Sequence, residues 1–442
     1  MSAAVVLRAD RWVDIDVGIV RSPAVVVVVG DRITAMNPSD LPAVATEIDL
    51  GDVTLCPGLM DMKVNFFIGG PGQTNLPAPM CGVQEDPVYR AYRAAANART
   101  TLLAGFTTVR NVGLIGKTGG SLVDVALARA IEEGWAEGPR LIPAGHAITP
   151  GAGDVALGTL EPIAPRTMPI SLKEGVASGV SDVRESVRYQ ICNGAKVIKV
   201  VASDGAMTDR ASFGAPHYCD DELDAIVDEA RRAGITVAAH AIGDKAVEAC
   251  ILSGVDCIEY GYLAAEKTIE MMVDCGVFLV SATCLMKALD GDRTGAGRQQ
   301  TAADVFPAAK AMLTEAIEAG VKIACGTDAP AIPHGENAQE LVALVSRGMS
   351  PMQALRAATL TSAELIGANT ELGRLAPGYL ADIIAVPGNP RVDVTTMQDV
   401  CFVMKDGRIH KMPSVAATNF DSDADWYTDT APRPLRLLPH AK

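Results

Sequence analysis

Between residues 58 and 368 the chain alternates eight short apolar segments with segments of helical character, and this alternation restricts the possible folds more than any other feature. The apolar segments are Leu59–Phe66, Thr107–Val112, Arg140–Ile148, Lys196–Ser203, Thr236–Ile242, Cys257–Gly261, Phe278–Thr283 and Lys322–Ala329. Two intervening segments have apolar residues at helical spacing, and we expect Ser181 and Asp220 to cap these helices. Eight strand–helix units in about 270 residues are typical of an α/β fold, the (β/α)8 TIM barrel.

The two ends of the chain have a different pattern. Residues 1–57 contain short β-rich segments separated by turns, and residues 369–415 return to strand character with a hairpin at Asp406-Gly407. We predict that these two parts form a small composite β-sandwich domain and that residues 58–368 form the catalytic barrel, closed by a helix at Pro351–Ile366. Residues 416–442 are predicted to be a C-terminal tail.

Three long connections follow predicted strands, at residues 69–86, 149–181 and 284–301. Barrel enzymes build their pockets at the C-terminal ends of the strands. Long connections at that face commonly act as lids or substrate walls. We therefore expect a pocket for a small-molecule substrate at this face.

The composition excludes several other classes of protein. The net charge of −15 argues against binding to nucleic acid or to an anionic membrane surface. The ten cysteines include no C-x-x-C pair, which indicates reduced thiols. No basic segment precedes a long apolar one at the N-terminus, and Val25–Val29 is too short to span a membrane. We expect a cytoplasmic protein and, as its assembly, a homo-oligomer.

Three polar residues lie at or near the ends of separate predicted strands: Lys199, His240 and Asp328. A lysine in a buried strand needs a partner, a neutral form or a modification. Each residue also has a structural interpretation, as an extended lysine reaching solvent, a core imidazole or a capping carboxylate. Together, at the mouths of three strands, they indicate one shared catalytic volume.

Eight stretches resemble the amidohydrolase superfamily, in the branch of prolidase-like and ochratoxinase-like proteins, over nearly the whole chain. They are Thr54–Asp61, Leu103–Arg110, Gly138–Arg140, Ala195–Ser203, Ala238–His240, Gly326–Asp328, His334–Leu341 and Gly378–Val386. The resemblance implies a barrel with two metals, often bridged by a carboxylated lysine of strand four. It also implies metal-binding histidines on strands one, five and six, and a strand-eight aspartate that binds metal and acts as general acid and base.

The chain departs from the metal pattern of that family. The positions that match are Lys199, His240 and Asp328. The strand-one pair of histidines is replaced by Lys63 and Asn65, and the strand-six histidine by Tyr260. One of the four expected imidazole ligands therefore remains.

Among these replacements, Lys63 has the largest expected effect on metal binding. A protonated lysine is not a metal ligand, and two unit charges about 4 Å apart repel each other by roughly 4 kcal/mol at an effective dielectric constant near 20. We therefore expect neither a binuclear site nor any cofactor. The alternative is one divalent metal, zinc or manganese, held by Lys199, His240 and Asp328.

Without a metal, Lys63 would act as a fixed cation in place of the Lewis acid. Asn65 and Tyr260 would donate hydrogen bonds to an oxyanion. Asp328 would be the general base, with His240 or Tyr260 as the proton donor.

Lys199 would then be a free amine with a lowered pKa, because burial and the neighbouring Lys63 both favour the neutral form. A neutral lysine is a base or an imine-forming nucleophile. Arg110, at the end of strand two, and His217, after strand four, are further candidates for substrate binding.

Three functions are compatible with this pattern. The first, which the sequence favours, is a metal-independent enzyme that carries out elimination, isomerisation, cyclisation or C–N or C–C cleavage on a small organic substrate. The second is a mononuclear metal-dependent amidohydrolase that cleaves an amide or another C–N bond. The third is a non-catalytic scaffold protein in which Lys63 and Asp328 form a salt bridge.

Overall fold

A computed structural model describes residues 4–70, 72–74, 81–82, 84–116, 118–150, 171–204, 214–286 and 296–413, and for residues 296–304 it describes the backbone only. Parts of each of the three long connections, and the C-terminal tail beyond residue 413, therefore lie outside the described residues. In the described part of the chain, no helix is long and apolar enough to cross a membrane.

The strands, in chain order, are β1 (Ala4–Ala9), β2 (Arg11–Asp14), β3 (Ile19–Arg21), β4 (Ala24–Val29), β5 (Arg32–Met36), β6 (Ala45–Asp49), β7 (Val53–Pro57), β8 (Leu59–Val64), β9 (Phe106–Asn111), β10 (Arg140–Pro143), β11 (Val197–Val201), β12 (Thr236–Gly243), β13 (Cys257–Leu263), β14 (Phe278–Val280), β15 (Lys322–Ile323), β16 (Ile383–Pro387), β17 (Phe402–Lys405) and β18 (Arg408–Lys411). The helices are α1 (Pro87–Leu103), α2 (Val123–Glu132), α3 (Val180–Cys192), α4 (Asp220–Arg232), α5 (Asp244–Ser253), α6 (Glu266–Cys275), α7 (Ala296–Ala319), α8 (Gln339–Val345), α9 (Pro351–Ala357) and α10 (Leu360–Leu365), with short 3-10 turns at Leu172–Glu174 and Val394–Gln398.

Two sheets are built from the ends of the chain. One has the order β5-β4-β1-β6, and the other, β18-β17-β16-β7-β2-β3, combines strands from both ends. Apolar side chains of the two sheets pack in one cluster, among them Leu7, Val26, Leu55, Ile383 and Phe402. The domain boundaries predicted from the sequence stay predictions.

Eight parallel strands, β8 to β15, follow in two sheets with the orders β10-β9-β8 and β11-β12-β13-β14-β15. Isolated parallel bridges link the sheet edges, from Val64 to Ala329 and from Ile148 to Val200. Helices alternate with most of these strands, as the sequence predicts. The arrangement is that of a mixed α/β, TIM-barrel-like domain.

The eighth strand is shorter than predicted, because β15 covers only Lys322–Ile323 instead of Lys322–Ala329. The backbone leaves the ladder toward Asp328, whose φ of 58° lies in the left-handed region. Its N–H donates to the carbonyl oxygen of Lys63 at 2.7 Å. This local departure places the Asp328 side chain at the mouth.

The third strand is also shorter than predicted, ending at Pro143 instead of Ile148. Proline supplies no N–H to the ladder. Gly145 then takes a φ of 67°, which turns the chain out of the strand.

The helix ends differ from the prediction by one or two residues. The helix expected to be capped by Ser181 begins at Val180, so Ser181 lies inside its first turn. Asp220 is the first residue of α4 and Cys219 is its N-cap residue. Both acidic first turns still suit the helix dipole.

The predicted helix at Pro351–Ile366 is two helices, α9 and α10. Thr359 separates them with φ −135° and ψ −91°, which no α-helix accommodates. Its hydroxyl donates to the carbonyl oxygen of Leu355 at 2.6 Å, so the side chain stabilises the end of α9.

Candidate active site

Charged and aromatic side chains from four segments of the chain converge at the C-terminal ends of the barrel strands. Lys63 is on β8, Lys199 on β11, Glu259 and Tyr260 on β13, and Asp328 follows β15. Because parallel strands present their C-terminal ends on one side, these side chains share one volume. Lys63, Lys199 and Asp328 are thus brought together as the sequence predicts.

Glu259 is the centre of this cluster and is fully buried. Its Oε2 accepts a hydrogen bond from Lys63 Nζ at 2.7 Å and another from Lys199 Nζ, and its Oε1 lies 3.4 Å from Arg110 Nη2. Burial alone would raise the pKa of Glu259, but the three cations hold it well below its usual range. The residue is therefore a permanent carboxylate among cationic groups.

The two lysines respond differently to this carboxylate. Burial and, to a smaller extent, the charge on Lys63 lower the pKa of Lys199 to about 8 against the opposing effect of Glu259. Burial also acts against the charge on Lys63, but Glu259 and Asp328 outweigh it and raise the pKa of Lys63. Lys63 is therefore a fixed ammonium, whereas Lys199 has the lowered pKa expected from the sequence while paired with Glu259.

The two oxygens of the Asp328 carboxylate have different partners. Oδ2 accepts a hydrogen bond from the Tyr260 hydroxyl at 2.6 Å, and Oδ1 lies 3.7 Å from Lys63 Nζ. The Asp328 side chain is 25% exposed, against 3% for Lys63. Asp328 is therefore the charged group of this cluster that reaches the mouth.

Tyr260 connects Lys63 with Asp328. Lys63 Nζ lies 4.5 Å from the centroid of the Tyr260 ring, within the range of a cation–π contact. Burial, followed by the charge on Asp328, raises the pKa of Tyr260 well above its usual range, so the phenol keeps its proton. Lys63 and Tyr260, which replace two histidines of the family pattern, thus contact each other and also contact Asp328.

His240 packs edge-to-face against Tyr260, with ring centroids 4.8 Å apart. Its Nε2 is buried and has no hydrogen-bond partner among the described residues. Burial, and then Lys199 and Lys63, lower the pKa of His240 well below its usual value. The imidazole is therefore neutral near pH 7.

Asn65 and Arg110 form hydrogen bonds with backbone groups of the barrel domain. Asn65 Nδ2 donates to the carbonyl oxygen of Gly113, and its Oδ1 accepts from the N–H of Phe67. Arg110 Nε donates to the carbonyl oxygen of Met62 at 2.7 Å. Roles in substrate binding stay predictions for both residues.

His217 lies in the connection that follows β11. Its Nδ1 is 3.2 Å from the carbonyl oxygen of Val201, and its Nε2 is 3.2 Å from Asp204 Oδ1. These contacts fix the ring orientation, and the substrate-binding role of His217 also stays a prediction.

Glu259 is the site residue that the sequence analysis missed. The signal was present, because a glutamate within the apolar strand Cys257-Ile-Glu-Tyr-Gly261 needs a partner as much as Lys199 does. Pairing the two would have required the relative positions of β11 and β13, which the sequence pattern alone does not give.

Gly326 allows the segment after β15 to approach the strand that carries Lys63. A Cβ at this position would lie 2.3 Å from Val280 Cγ1 and 2.9 Å from Lys63 Cβ. Both separations are shorter than carbon atoms tolerate, so no side chain fits without moving its neighbours. The close approach of Lys63 to Asp328 therefore depends on this glycine.

Three other described histidines have side-chain partners that are not members of this cluster: His146 contacts Thr118, His334 contacts Phe66 and Thr101, and His410 contacts Glu137. Within the described ranges, no group of three or more His, Cys, Asp or Glu side chains is placed to hold a metal ion.

Comparisons with known proteins agree with this fold. Residues 54–411 match the model of the Amidohydrolase family. Ochratoxinase from Aspergillus niger is 31% identical over 423 residues, covering 89% of this chain and 84% of that protein. The crystal structure of a Xaa-Pro dipeptidase with bound methionine in its active site superposes with a TM-score of 0.84 at 31% identity, covering 92% of this chain and all of that one. The crystal structure of the A. niger ochratoxinase gives a TM-score of 0.81 at 28% identity, covering 93% and 96%.

The chain belongs to the amidohydrolase family, in the branch that includes ochratoxinase and prolidase-like proteins. The resemblance found in the sequence is thereby confirmed. These relatives indicate that the protein is an enzyme.

Proposed function

We propose that the protein is a metal-independent hydrolase that cleaves the C–N bond of an amide in a small organic substrate. The family and the relatives named ochratoxinase and Xaa-Pro dipeptidase support hydrolysis of a C–N bond. The contact of Lys63 and Tyr260 with opposite oxygens of Asp328 carries the proposal, because it puts a fixed cation and a phenol beside a carboxylate at the mouth.

The side chains at the mouth do not fit a divalent metal. Lys63 lies 2.7 Å from Glu259 and 3.7 Å from Asp328, so its ammonium already neutralises the carboxylates that would attract a metal. A metal about 4 Å from this ammonium would be repelled by several kcal/mol at an effective dielectric constant near 20. Among the described residues of the cluster, His240 supplies one unpartnered imidazole nitrogen, Nε2, and a single imidazole is not a metal site.

In the first step, Asp328 removes a proton from a water molecule that attacks the amide carbon. A C–O bond forms, and the carbonyl oxygen becomes an oxyanion. The Lys63 ammonium stabilises this negative charge, and because Glu259 holds Lys63 in place, little reorganisation is needed.

In the second step, the tetrahedral intermediate collapses and the C–N bond breaks. The nitrogen takes the proton that Asp328 removed from water, and Tyr260, hydrogen-bonded to Asp328 at 2.6 Å, relays it or stabilises the carboxylate that re-forms. The products are a carboxylic acid and an amine. Neutral His240 forms a hydrogen bond with the substrate through its unpartnered Nε2, as donor or as acceptor according to its tautomer.

The pairing of Lys199 favours hydrolysis over chemistry that needs a nucleophilic lysine. Both Lys199 and Lys63 bind the same oxygen of Glu259, so the Lys199 amine faces a carboxylate that stabilises its protonated form. Elimination, isomerisation and cyclisation driven by a free Lys199 amine are therefore less well supported than attack by water.

The test is a panel of small amides, including dipeptides and N-acyl amino acids, incubated with the purified protein in the presence and absence of a metal chelator. We expect equimolar acid and amine from at least one amide, at the same rate under both conditions. A rate that falls with the chelator and returns with zinc or manganese would favour the mononuclear metal enzyme. No turnover of any amide would favour the scaffold protein.

A further inference from the structure

Asp61 is a buried carboxylate of β8 that contributes no group to the proposed reaction, yet both of its oxygens are fully used. Oδ1 accepts from the backbone N–H groups of Lys63 at 3.0 Å and Thr327 at 3.1 Å. Oδ2 accepts from the Thr327 hydroxyl at 2.6 Å and from Asn337 Nδ2 at 2.8 Å. Four donors from three chain segments therefore meet on one carboxylate.

Two of these segments carry the reacting groups. Lys63 supplies the ammonium, and Thr327 directly precedes Asp328. The Thr327 hydroxyl also accepts from the N–H of Ala329 at 3.1 Å, so the residues on both sides of Asp328 are tied to Asp61. Asp61 thereby connects the backbone that carries the cation with the backbone that carries the base.

Asp328 needs such support because its backbone is in the left-handed region, with φ 58°. That conformation costs a non-glycine residue about 1–3 kcal/mol and persists only where the surroundings enforce it. The Asp61 hydrogen bonds to Thr327, together with the bond from the Asp328 N–H to the Lys63 carbonyl oxygen, supply this enforcement.

We propose that Asp61 is a positioning residue that sets the separation between the Lys63 ammonium and the Asp328 carboxylate. Asn337 supports this role, because its hydrogen bond fixes the rotamer of the Asp61 side chain. Asp61 does not touch the substrate. The kinetic part of this inference rests on the proposed function, and the structural part does not.

The experiment compares Asp61→Asn, the double variant Asp61→Asn with Asn337→Asp, and Asp124→Asn as a matched control. In the double variant the amide of position 61 donates to the carboxylate of position 337, so the hydrogen bond between them re-forms with its polarity reversed. Asp124 is equally buried and accepts backbone N–H bonds from Gly145 and Val125, far along the chain from Asp328.

We expect Asp61→Asn to lower kcat about 10²-fold with KM changed less than about twofold, because a misplacement near 1 Å costs that much. The double variant should recover at least tenfold of this loss, and Asp124→Asn should keep the kcat of the unsubstituted enzyme. In a crystal structure of Asp61→Asn, the distance from Lys63 Nζ to Asp328 Oδ1 should exceed 3.7 Å.

An unchanged kcat in folded Asp61→Asn, a loss equal to that of Asp124→Asn, or no recovery in the double variant would overturn the inference. If Asp61→Asn does not fold, Thr327→Val takes its place with the same expected loss, because it removes the hydroxyl that donates to Asp61 and accepts from the Ala329 N–H. An altered Lys63–Asp328 distance in an enzyme whose Asp328→Asn variant keeps its turnover would reject the proposed function and leave the positioning role standing.

Discussion

Replacing Asp328 with asparagine is expected to lower kcat by about 10²–10⁴-fold, the range that general acid–base catalysis contributes. The amide is nearly the same size and retains an oxygen that can accept the Tyr260 hydrogen bond, but it cannot take a proton from water. The left-handed backbone at this position also suits asparagine. The variant should therefore fold normally and lose its activity for chemical reasons.

The control is Tyr260→Phe, which removes one partner of Asp328 and leaves its carboxylate in place. We expect a smaller loss of kcat, about 10–10²-fold, since a hydrogen bond to a charged group contributes about 1.5–3 kcal/mol. Steady-state kinetics and the melting temperature of both variants are the measurements. Turnover in Asp328→Asn within a few-fold of the unsubstituted enzyme would show that another group is the base.

Replacing Glu259 with glutamine is expected to lower the free energy of unfolding by about 3–5 kcal/mol, the cost of leaving buried charges without their counter-charge. Glu259 neutralises Lys63, Lys199 and Arg110 in a place where none of the four side chains is more than 5% exposed. Chemical denaturation at pH 7 is the measurement. A loss below about 1 kcal/mol would mean that the three cations are not held by this carboxylate.

An exposed ion pair provides the control for this substitution. Glu47 binds Arg8 Nε at 2.9 Å with both side chains exposed, so Glu47→Gln should cost less than about 1 kcal/mol. The contrast between the two variants isolates the effect of burial.

The pH dependence of stability gives a second test of Glu259. Its pKa is lower in the folded protein than in the unfolded chain, so its contribution is fully present above the unfolded value, near 4.3, and is lost as the pH falls below it. The unsubstituted protein should therefore lose stability more steeply below about pH 4 than Glu259→Gln does. Equal slopes for the two proteins in this range would contradict the assignment.

The sequence predicts the order of the barrel elements because burial forces apolar segments and helical periodicity into the chain in a regular alternation. It also predicts that Lys63, Lys199 and Asp328 approach one another, because parallel strands bring their C-terminal ends to one side. The ends of β10 and β15 were predicted too far along the chain. They are set by left-handed residues and by side-chain bonds to the backbone, which strand periodicity does not reveal.

Contacts between distant segments account for what the sequence analysis missed. Asp61 lies in a stretch recognised as typical of the family and Glu259 lies in a predicted strand, but Glu259 pairs with Lys199, 60 residues away along the chain, and Asp61 with Thr327, 266 residues away. Which cation a buried carboxylate pairs with depends on rotamers and strand register, so only the structure could give these pairings. The same holds for Tyr260, whose contact with Asp328 depends on its positive φ of 73°.

The central claim is that the Lys63 ammonium takes the place of a metal. Its most direct test is elemental analysis of the protein purified without chelator, beside a variant with Lys63→His, Asn65→His and Tyr260→His. We predict well below one equivalent of zinc or manganese in the unsubstituted protein and recovered zinc binding in the variant, where three imidazoles join His240. About one equivalent of metal in the unsubstituted protein, with turnover lost when it is stripped, would contradict the account.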